Sequence, residues 1–509
     1  MTIKKLPYFA NGEFKQSKTA KWMDCYDPST GQVIAHAPQC TVAEVEEAVA
    51  AAAAAFPAWS NTPANKRVQV MFRMKALLDR HLDELTHLVA QEHGKVCDEA
   101  MGDVLKVTEV VEFAAGIPHL MKGPALMNCT VGYDTTQYME PLGVFAGIAP
   151  WNFPAMIPMG WMAPLCIATG NTLVIKAASF TPQSSLRIAE LWHEAGLPKG
   201  VINVVTCSRH EAEILLKHPE IKGVSFVGST SVGTHIYATA AAAGKRVQAL
   251  TEAKNHAIVL RDAALERSAR SIVNSACGCA GERCMALPVV VAEEAIADDL
   301  VAILVRLMQE LKIGPAYDET SQLGPMVNAD HRQSVLKWIE KGVEEGATLA
   351  LDGRQIQSVP GFEDGFYLGP TLFDHVTPDM TIGDREIFGP VLCIKRVKDF
   401  EEGLALMNAN EFANGSVIYT QSGYYAREFA KRTHGGMVGI NVGIPVPLGV
   451  FGFTGRKNSF FGDLHAMGTD GIRFFTELKG VTAHWFSEEE AREGRVLNSW
   501  DGMISMPNR

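Results

Sequence analysis

The sequence predicts an α/β protein with two parallel-sheet domains and a separate β arm. Three observations lead there. From residue 143 onward short apolar runs of strand length (144–148, 172–176, 201–205 and 224–227) alternate with helical stretches (155–168, 182–195 and 209–218), the pattern of strands joined by crossover helices. A second βα-rich region spans about 256–470. Outside both units, 125–140 and the segment after Phe475 are extended and polar, as expected of strands that pair between subunits.

The elements that precede the first sheet follow from local signals. Asp27-Pro28-Ser29-Thr30-Gly31 is a turn between two extended runs. Thr41-Val42-Ala43-Glu44 is a capping box opening an Ala-rich helix to about residue 55. Helical periodicity then covers roughly 66–93 and 97–120. A chain of 509 residues exceeds one ordinary core, so several domains are expected.

Composition excludes several classes of function. With 47% hydrophobic and 20% charged residues the chain is of soluble globular type. A net charge of −11 argues against a nucleic-acid partner, since phosphate contacts need a basic face. The first seven residues carry no apolar signal core, and the longest apolar run, 155–168, is broken by Pro158, Gly160 and Pro164, so no membrane association is expected. Ten scattered cysteines fit a reducing, cytoplasmic setting. Cys277 and Cys279 with Cys284 find no second ligand cluster, so no metal is expected.

The chemistry centres on Ala280-Gly281-Glu282-Arg283-Cys284-Met285-Ala286, which comes after an amphipathic run from Ser268. A cysteine here is either a small buried hydrophobe or a nucleophile. Three companions select the nucleophile: Pro150-Trp151-Asn152-Phe153-Pro154 after a strand, Gly228-Ser229-Thr230-Ser231-Val232-Gly233 between a strand and a helix, and Glu386-Ile387-Phe388-Gly389-Pro390. Asn152 is placed to donate to an oxyanion or to cap a helix. The glycine-flanked turn at Ser229 offers N–H groups to a pyrophosphate or is an ordinary cap. Lys176, at the end of a buried strand, needs a ribose, a phosphate or a carboxylate; Glu386 accepts ribose hydroxyls or an ion pair. Arg283 favours a thiolate at Cys284.

With these motifs in order the chain resembles an NAD(P)-dependent aldehyde dehydrogenase over nearly its whole length. More narrowly it is similar to the CoA-acylating methylmalonate- and malonate-semialdehyde dehydrogenases, through Gly281-Glu282-Arg283-Cys284-Met285-Ala286, Ala253-Lys254-Asn255-His256, Ile444-Pro445-Val446-Pro447-Leu448, and Phe453-Thr454-Gly455 with Ser459-Phe460-Phe461-Gly462-Asp463. The resemblance implies an aldehyde-dehydrogenase-like fold of two Rossmann-like domains. The NAD-binding domain would take 1–124 and 143–253, the catalytic domain 254–470, the oligomerisation arm 125–142 and 471–490, and a tail 491–509. It also implies a homotetramer.

The same resemblance makes Cys284 the nucleophile and Asn152 the oxyanion donor. Lys176, Ser229 and Glu386 would hold the adenine ribose, the pyrophosphate and the nicotinamide ribose, with Ala149, Trp151 and Thr251 lining the cofactor. Arg283 and Lys106 would receive the substrate's carboxylate, Lys106 standing where the family has a second Arg. Two departures bear on the cofactor and the channel. Ser179 and Phe180 replace a Glu-Arg pair in the cofactor-binding segment, removing a carboxylate that repels NADP. Gly160 is a one-residue insertion between Asn152 and Lys176.

A third departure concerns the acyl acceptor. Hydrolytic members carry a water-activating Glu where this chain has Leu250. A leucine cannot activate water, so the expected acceptor is the thiol of coenzyme A. Glu252, two residues on, is the alternative base of a hydrolytic enzyme releasing a free acid. The implied cycle joins Cys284 to the semialdehyde and passes hydride to NAD. Loss of carbon dioxide from the thioester then precedes delivery of acetyl or propionyl to CoA.

Overall fold

The computed structural model describes residues 3–493, so Met1, Thr2 and residues 494–509 of the expected tail lie outside the described residues. The α/β expectation holds, in three sheets that matter for the site. The first has eight strands in the order Phe460–Gly462, Arg246–Leu250, Ile221–Val227, Val144–Ile148, Thr172–Lys176, Ile202–Val205, Tyr8–Ala10 and Glu13–Lys15. Its five central strands are parallel, with antiparallel strands on both flanks. The chain moves outward from Val144–Ile148 on one side and returns to Ile221–Val227 on the other. The strand order therefore reverses beside Ile148, where open α/β sheets place their ligands.

The second sheet has seven strands in the order Thr348–Leu351, Thr371–Asp374, Val391–Val397, Val289–Glu293, His256–Val259, Gly415–Tyr419 and Met437–Ile440, parallel except for the first. The third is the antiparallel sheet of Ala125–Thr130, Tyr133–Pro141 and Thr476–His484, which joins the two extended segments outside the α/β units. No helix among the described residues is long and apolar enough to cross a membrane.

Several local expectations meet the structure directly. Thr41 accepts from the Glu44 N–H and donates its own N–H to Glu44 Oε2 at 2.7 Å, a capping box, and the helix continues past residue 55 to Ser60 despite Pro57. The turn at 27–31 joins the paired strands Trp22–Asp27 and Gln32–Pro38. The helical run 66–93 is two helices, Ala64–Arg80 and Leu82–His93, broken at His81. The run 97–120 likewise ends at Ala114 before a short turn.

The stretch 155–168 departs from a plain helix in an informative way. Met156–Met162 is π-helical and only Ala163–Thr169 is α-helical. A π turn is how a helix absorbs one extra residue, and Gly160 lies within it. A Cβ at Gly160 would stand 3.2 Å from Val107 Cα, so the widened turn presses against the backbone of helix Cys97–Ala114. Glycine, without a side chain, eases this close backbone contact. Gly160→Val is expected to lower the thermal midpoint through overpacking worth about 1–3 kcal/mol, read by calorimetry; an unchanged midpoint would show that the two helices are not in firm contact.

Candidate active site

The segment of Cys284, the expected nucleophile, is a turn between helix Leu265–Cys277 and strand Val289–Glu293. The helix buries Ser268, Ala269, Ile272, Val273 and Ala276, the spacing of one apolar face against the second sheet. It ends in a tight turn, Gly278–Gly281, where Cys279 (φ 49°), Ala280 (φ 52°) and Gly281 (φ 74°) are all left-handed. Only glycine adopts this region freely; for the other two it costs roughly 1–2 kcal/mol each.

Side-chain amides hold the residues on the far side of this turn. Asn255 Nδ2 donates to the carbonyls of Cys284 (2.9 Å) and Ala286 (2.8 Å), and its Oδ1 accepts from the Gly415 N–H at 2.8 Å. Asn414 Nδ2 donates to the Cys284 carbonyl at 3.2 Å. From the other sheet, Asn152 Nδ2 donates to the Glu282 carbonyl at 3.2 Å. Asn152 and Cys284, predicted together from sequence, are therefore brought together across the two sheets, Asn152 binding the backbone two residues before Cys284. Among the described residues neither has a competing side-chain partner, and Cys284 is half-buried at the wall of a cavity of about 830 Å³.

Asn152 is fixed in turn by residues that sequence reasoning did not single out. The buried Lys95 donates to the Asn152 carbonyl (2.7 Å) and to Asp103 Oδ2 (3.0 Å), with its ammonium 3.8 Å from the Phe153 ring centre. Asp103 also accepts from the Met156 N–H at 2.6 Å. The carboxyl of Glu282 is buried too: its Oε1 accepts from the Val327 N–H at 3.1 Å, and His93 and His331 approach to 3.8 and 3.6 Å. Both histidine rings pack on Trp151. Burial raises the Glu282 carboxyl well above the ordinary range and drives both histidines down, His93 furthest, so all three groups are held toward their neutral forms. The signal available in sequence was a charged residue directly after a helix-ending glycine, His93-Gly94-Lys95.

Electrostatics at the nucleophile differ from the sequence expectation. Burial pushes the Cys284 thiol up to about 12, and the charge of Glu386 adds to this; Arg283 pulls it toward ionisation but is outweighed. Arg283 is itself committed. Its Nη2 pairs with Glu99 Oε1 at 2.7 Å, its Nε donates to Cys279 Sγ at 3.2 Å, and its Nη1 to the Asn274 carbonyl at 3.3 Å. Lys106, in the same cavity, pairs with Glu109 at 2.8 Å and reaches the Pro447 carbonyl at 3.3 Å.

The predicted cofactor residues gather at the carboxyl end of the first sheet. Ala149 donates its N–H to the Lys176 carbonyl (3.0 Å), and the Trp151 carbonyl accepts from Thr181 Oγ1 (3.2 Å). Lys176 is buried enough for its ammonium to be pushed down, and among the described residues it has no carboxylate partner. Ser179 is buried and its hydroxyl accepts from Gln39 Nε2 at 3.0 Å, while Phe180 beside it is half-buried. Ser229 stands at the N-terminus of helix Thr230–Ala242 without bonding its N–H groups through the side chain. A Cβ at Gly233 would lie 2.3 Å from Thr251 Cγ2, so helix and strand approach as closely as a dinucleotide turn requires. Thr251 is fixed by the Asn458 carbonyl at 2.6 Å. A buried ammonium without a counter-charge, together with a helix N-terminus at the same end of the sheet, fits a dinucleotide.

Glu386 accepts from the Ala253 N–H at 3.0 Å and makes no ion pair among the described residues. Burial, aided by Glu252, raises its carboxyl from 4.5 to about 8. Leu250 is buried in the apolar cluster against which Cys284 packs, whereas Glu252 is half-buried and does not line the cavity with Cys284.

Two measurements test this geometry. Asn152→Ala should lower kcat about 100- to 1,000-fold while leaving the fold intact, as loss of one oxyanion donor does. Glu386 carries the sign of a buried acid. Between pH 4.5 and about 8 the folded chain holds a proton that the unfolded chain has released, so stability falls as pH rises through that window. Glu386→Gln should flatten the decline of thermal midpoint across it; an identical slope in both proteins would show the carboxyl to be ordinary.

Comparison with known proteins agrees with this architecture. The aldehyde dehydrogenase family model matches residues 14–481. The chain is 47% identical over 483 residues to malonate-semialdehyde dehydrogenase 1 of Geobacillus thermodenitrificans (strain NG80-2), covering 95% of this chain and 99% of that one. The crystal structure of methylmalonate-semialdehyde dehydrogenase from Oceanimonas doudoroffii superposes with a TM-score of 0.94 at 44% identity, over 96% of this chain and 100% of that one. A Sinorhizobium meliloti 1021 protein provisionally named a methylmalonate-semialdehyde dehydrogenase, solved with NAD, gives 0.94 at 42% identity over 96% and 99% of the two chains. The chain belongs to the aldehyde dehydrogenase family.

Proposed function

We propose that the protein oxidises malonate semialdehyde, methylmalonate semialdehyde or both with NAD, and transfers the acyl group to coenzyme A with loss of carbon dioxide. The observation that carries this reading is Leu250: the position from which a carboxylate would activate water is hydrocarbon, in the apolar cluster that backs Cys284. The names borne by the relatives support the substrate class.

Cys284 Sγ gives up its proton to solvent as it adds to the aldehyde carbon, and the oxygen gains charge next to the Asn152 amide. Lys95 and Asp103 hold the backbone on either side of that amide, so the donor is in place before the charge develops. Lys176, Ser229, Thr251 and Glu386, with Ala149, Trp151, Ser179 and Phe180, would hold NAD, whose nicotinamide supplies a hydride acceptor. With a leucine at the position of the hydrolytic base, the thioester outlasts encounters with water; its β-carboxylate leaves as carbon dioxide, Asn152 steadies the enolate, and the enolate carbon then takes a proton from solvent. The thiol of coenzyme A then takes the acyl group and frees Cys284. Arg283 and Lys106 receive the substrate's carboxylate within the cavity.

The assembly belongs to the same reading: a cytoplasmic homotetramer joined through the three-stranded sheet. That sheet and its flank expose Leu126, Met127, Leu478, Val481 and Trp485, an apolar surface that a partner would cover. In the test, NADH formation from malonate semialdehyde is followed with and without coenzyme A, and the product is identified by mass. Sustained turnover only with coenzyme A, yielding acetyl-CoA, is expected. Sustained release of free acid without it would overturn the reading and make Glu252 the first residue to replace.

A further inference from the structure

Glu99 stands in the substrate cavity beside the group proposed to receive the substrate. Its carboxylate pairs with Arg283 Nη2 and accepts the Cys279 N–H with both oxygens at 2.8 Å. A guanidinium binds a carboxylate through one of two edges, Nε with Nη2 or Nη1 with Nη2. Nη2 carries one N–H on each edge, and Glu99 holds one of them. The Nε edge is also taken by Cys279 Sγ. Gly278 leaves no room for the guanidinium to retreat: a Cβ there would lie 2.4 Å from Nη1, so the planar group lies flat on the backbone. A substrate carboxylate that engages the Nε edge of Arg283 must therefore displace Glu99, and one on the Nη1 edge lies close to Glu99 and is repelled by its charge.

We propose that Glu99 is a specificity-determining residue, a built-in carboxylate that occupies Arg283 until the substrate's own carboxylate exchanges with it. This rests on the reading that Arg283 receives the semialdehyde's carboxylate. Exchange has a second effect, because Glu99 also ties down the amide of Cys279. A carboxylated aldehyde that displaces Glu99 frees the left-handed turn leading to Cys284; a neutral aldehyde leaves it tied. Glu99 thus acts on the reaction through Arg283 and the turn rather than by touching the reacting carbon.

The test compares kcat/KM for malonate semialdehyde with that for acetaldehyde, at saturating NAD and coenzyme A, in the natural protein, Glu99→Gln and Glu99→Asp. Removing the competing charge should raise the ratio in Glu99→Gln about five-fold, chiefly through a lower KM for the semialdehyde, as expected of one partly exposed ion pair. Glu99→Asp keeps the charge and should raise the ratio less. A ratio that stays constant or falls in Glu99→Gln overturns the proposal.

A second measurement uses the natural protein, in case the variants do not fold. Malonate at a concentration that inhibits acetaldehyde oxidation should speed hydrogen exchange in the peptide carrying the Cys279 amide; unchanged or slower exchange under inhibition overturns the exchange of carboxylates. Failure of the underlying reading has a different signature: the natural protein would then fail to favour malonate semialdehyde over acetaldehyde at all.

Discussion

The catalytic turn is a stretch of backbone held in a conformation that two of its residues resist. Cys279 and Ala280 are left-handed without being glycine, and they persist there because several independent groups seize the turn. Glu99 takes the amide of Cys279, Val327 binds the carboxyl of Glu282, and Asn152 binds the Glu282 carbonyl. Asn255 and Asn414 take the carbonyl of Cys284. These anchors come from both large sheets and from the helical layer before them. Cys284 is thus placed by the whole architecture rather than by its own segment.

Burial sets the protonation states around that turn. Glu282, His93 and Glu386 are all held toward their neutral forms, and Cys284 is held as a thiol. Charge appears where it is matched, in Lys95 with Asp103 and in Arg283 with Glu99. The resting site is therefore electrically quiet. A negative charge that develops during reaction meets fixed amides and a buried ammonium instead of rearranging ions, which is the condition under which preorganised dipoles act most strongly.

Much of this was legible in the sequence because the informative residues sit at strand ends and turns, where spacing and residue type are tightly coupled. Asn152 after 144–148, Lys176 at the end of 172–176 and Ser229 after 224–227 could be placed from alternation alone. The anchors could not. Lys95, Glu99, Glu282 and His331 act through contacts with residues far along the chain, and each reads locally as an ordinary polar residue on a helix or loop. The break at His81 and the π turn at 156–162 were hidden for a related reason. No proline marks the first, and Pro158 in the second signals an interruption without saying that the helix widens rather than ends. Both arise from how neighbouring helices pack. Arg283 was expected to receive a carboxylate, but nothing in its neighbours along the chain shows that its fork is already filled.

The edge strand Phe460–Gly462 pairs with Arg246–Leu250, and the guanidinium of Arg246 is tied to the carbonyls of Arg473, Phe474 and Thr476. The strand Tyr133–Pro141 likewise gains its second neighbour only with Thr476–His484. As the chain leaves the ribosome, the first sheet has its parallel centre long before it has this edge. It waits with an open margin beside Leu250 until the second sheet has been made. The first unit cannot finish until the last strands arrive, so the nascent chain carries an unpaired strand edge through much of its synthesis, and it is this interval that a chaperone would have to cover.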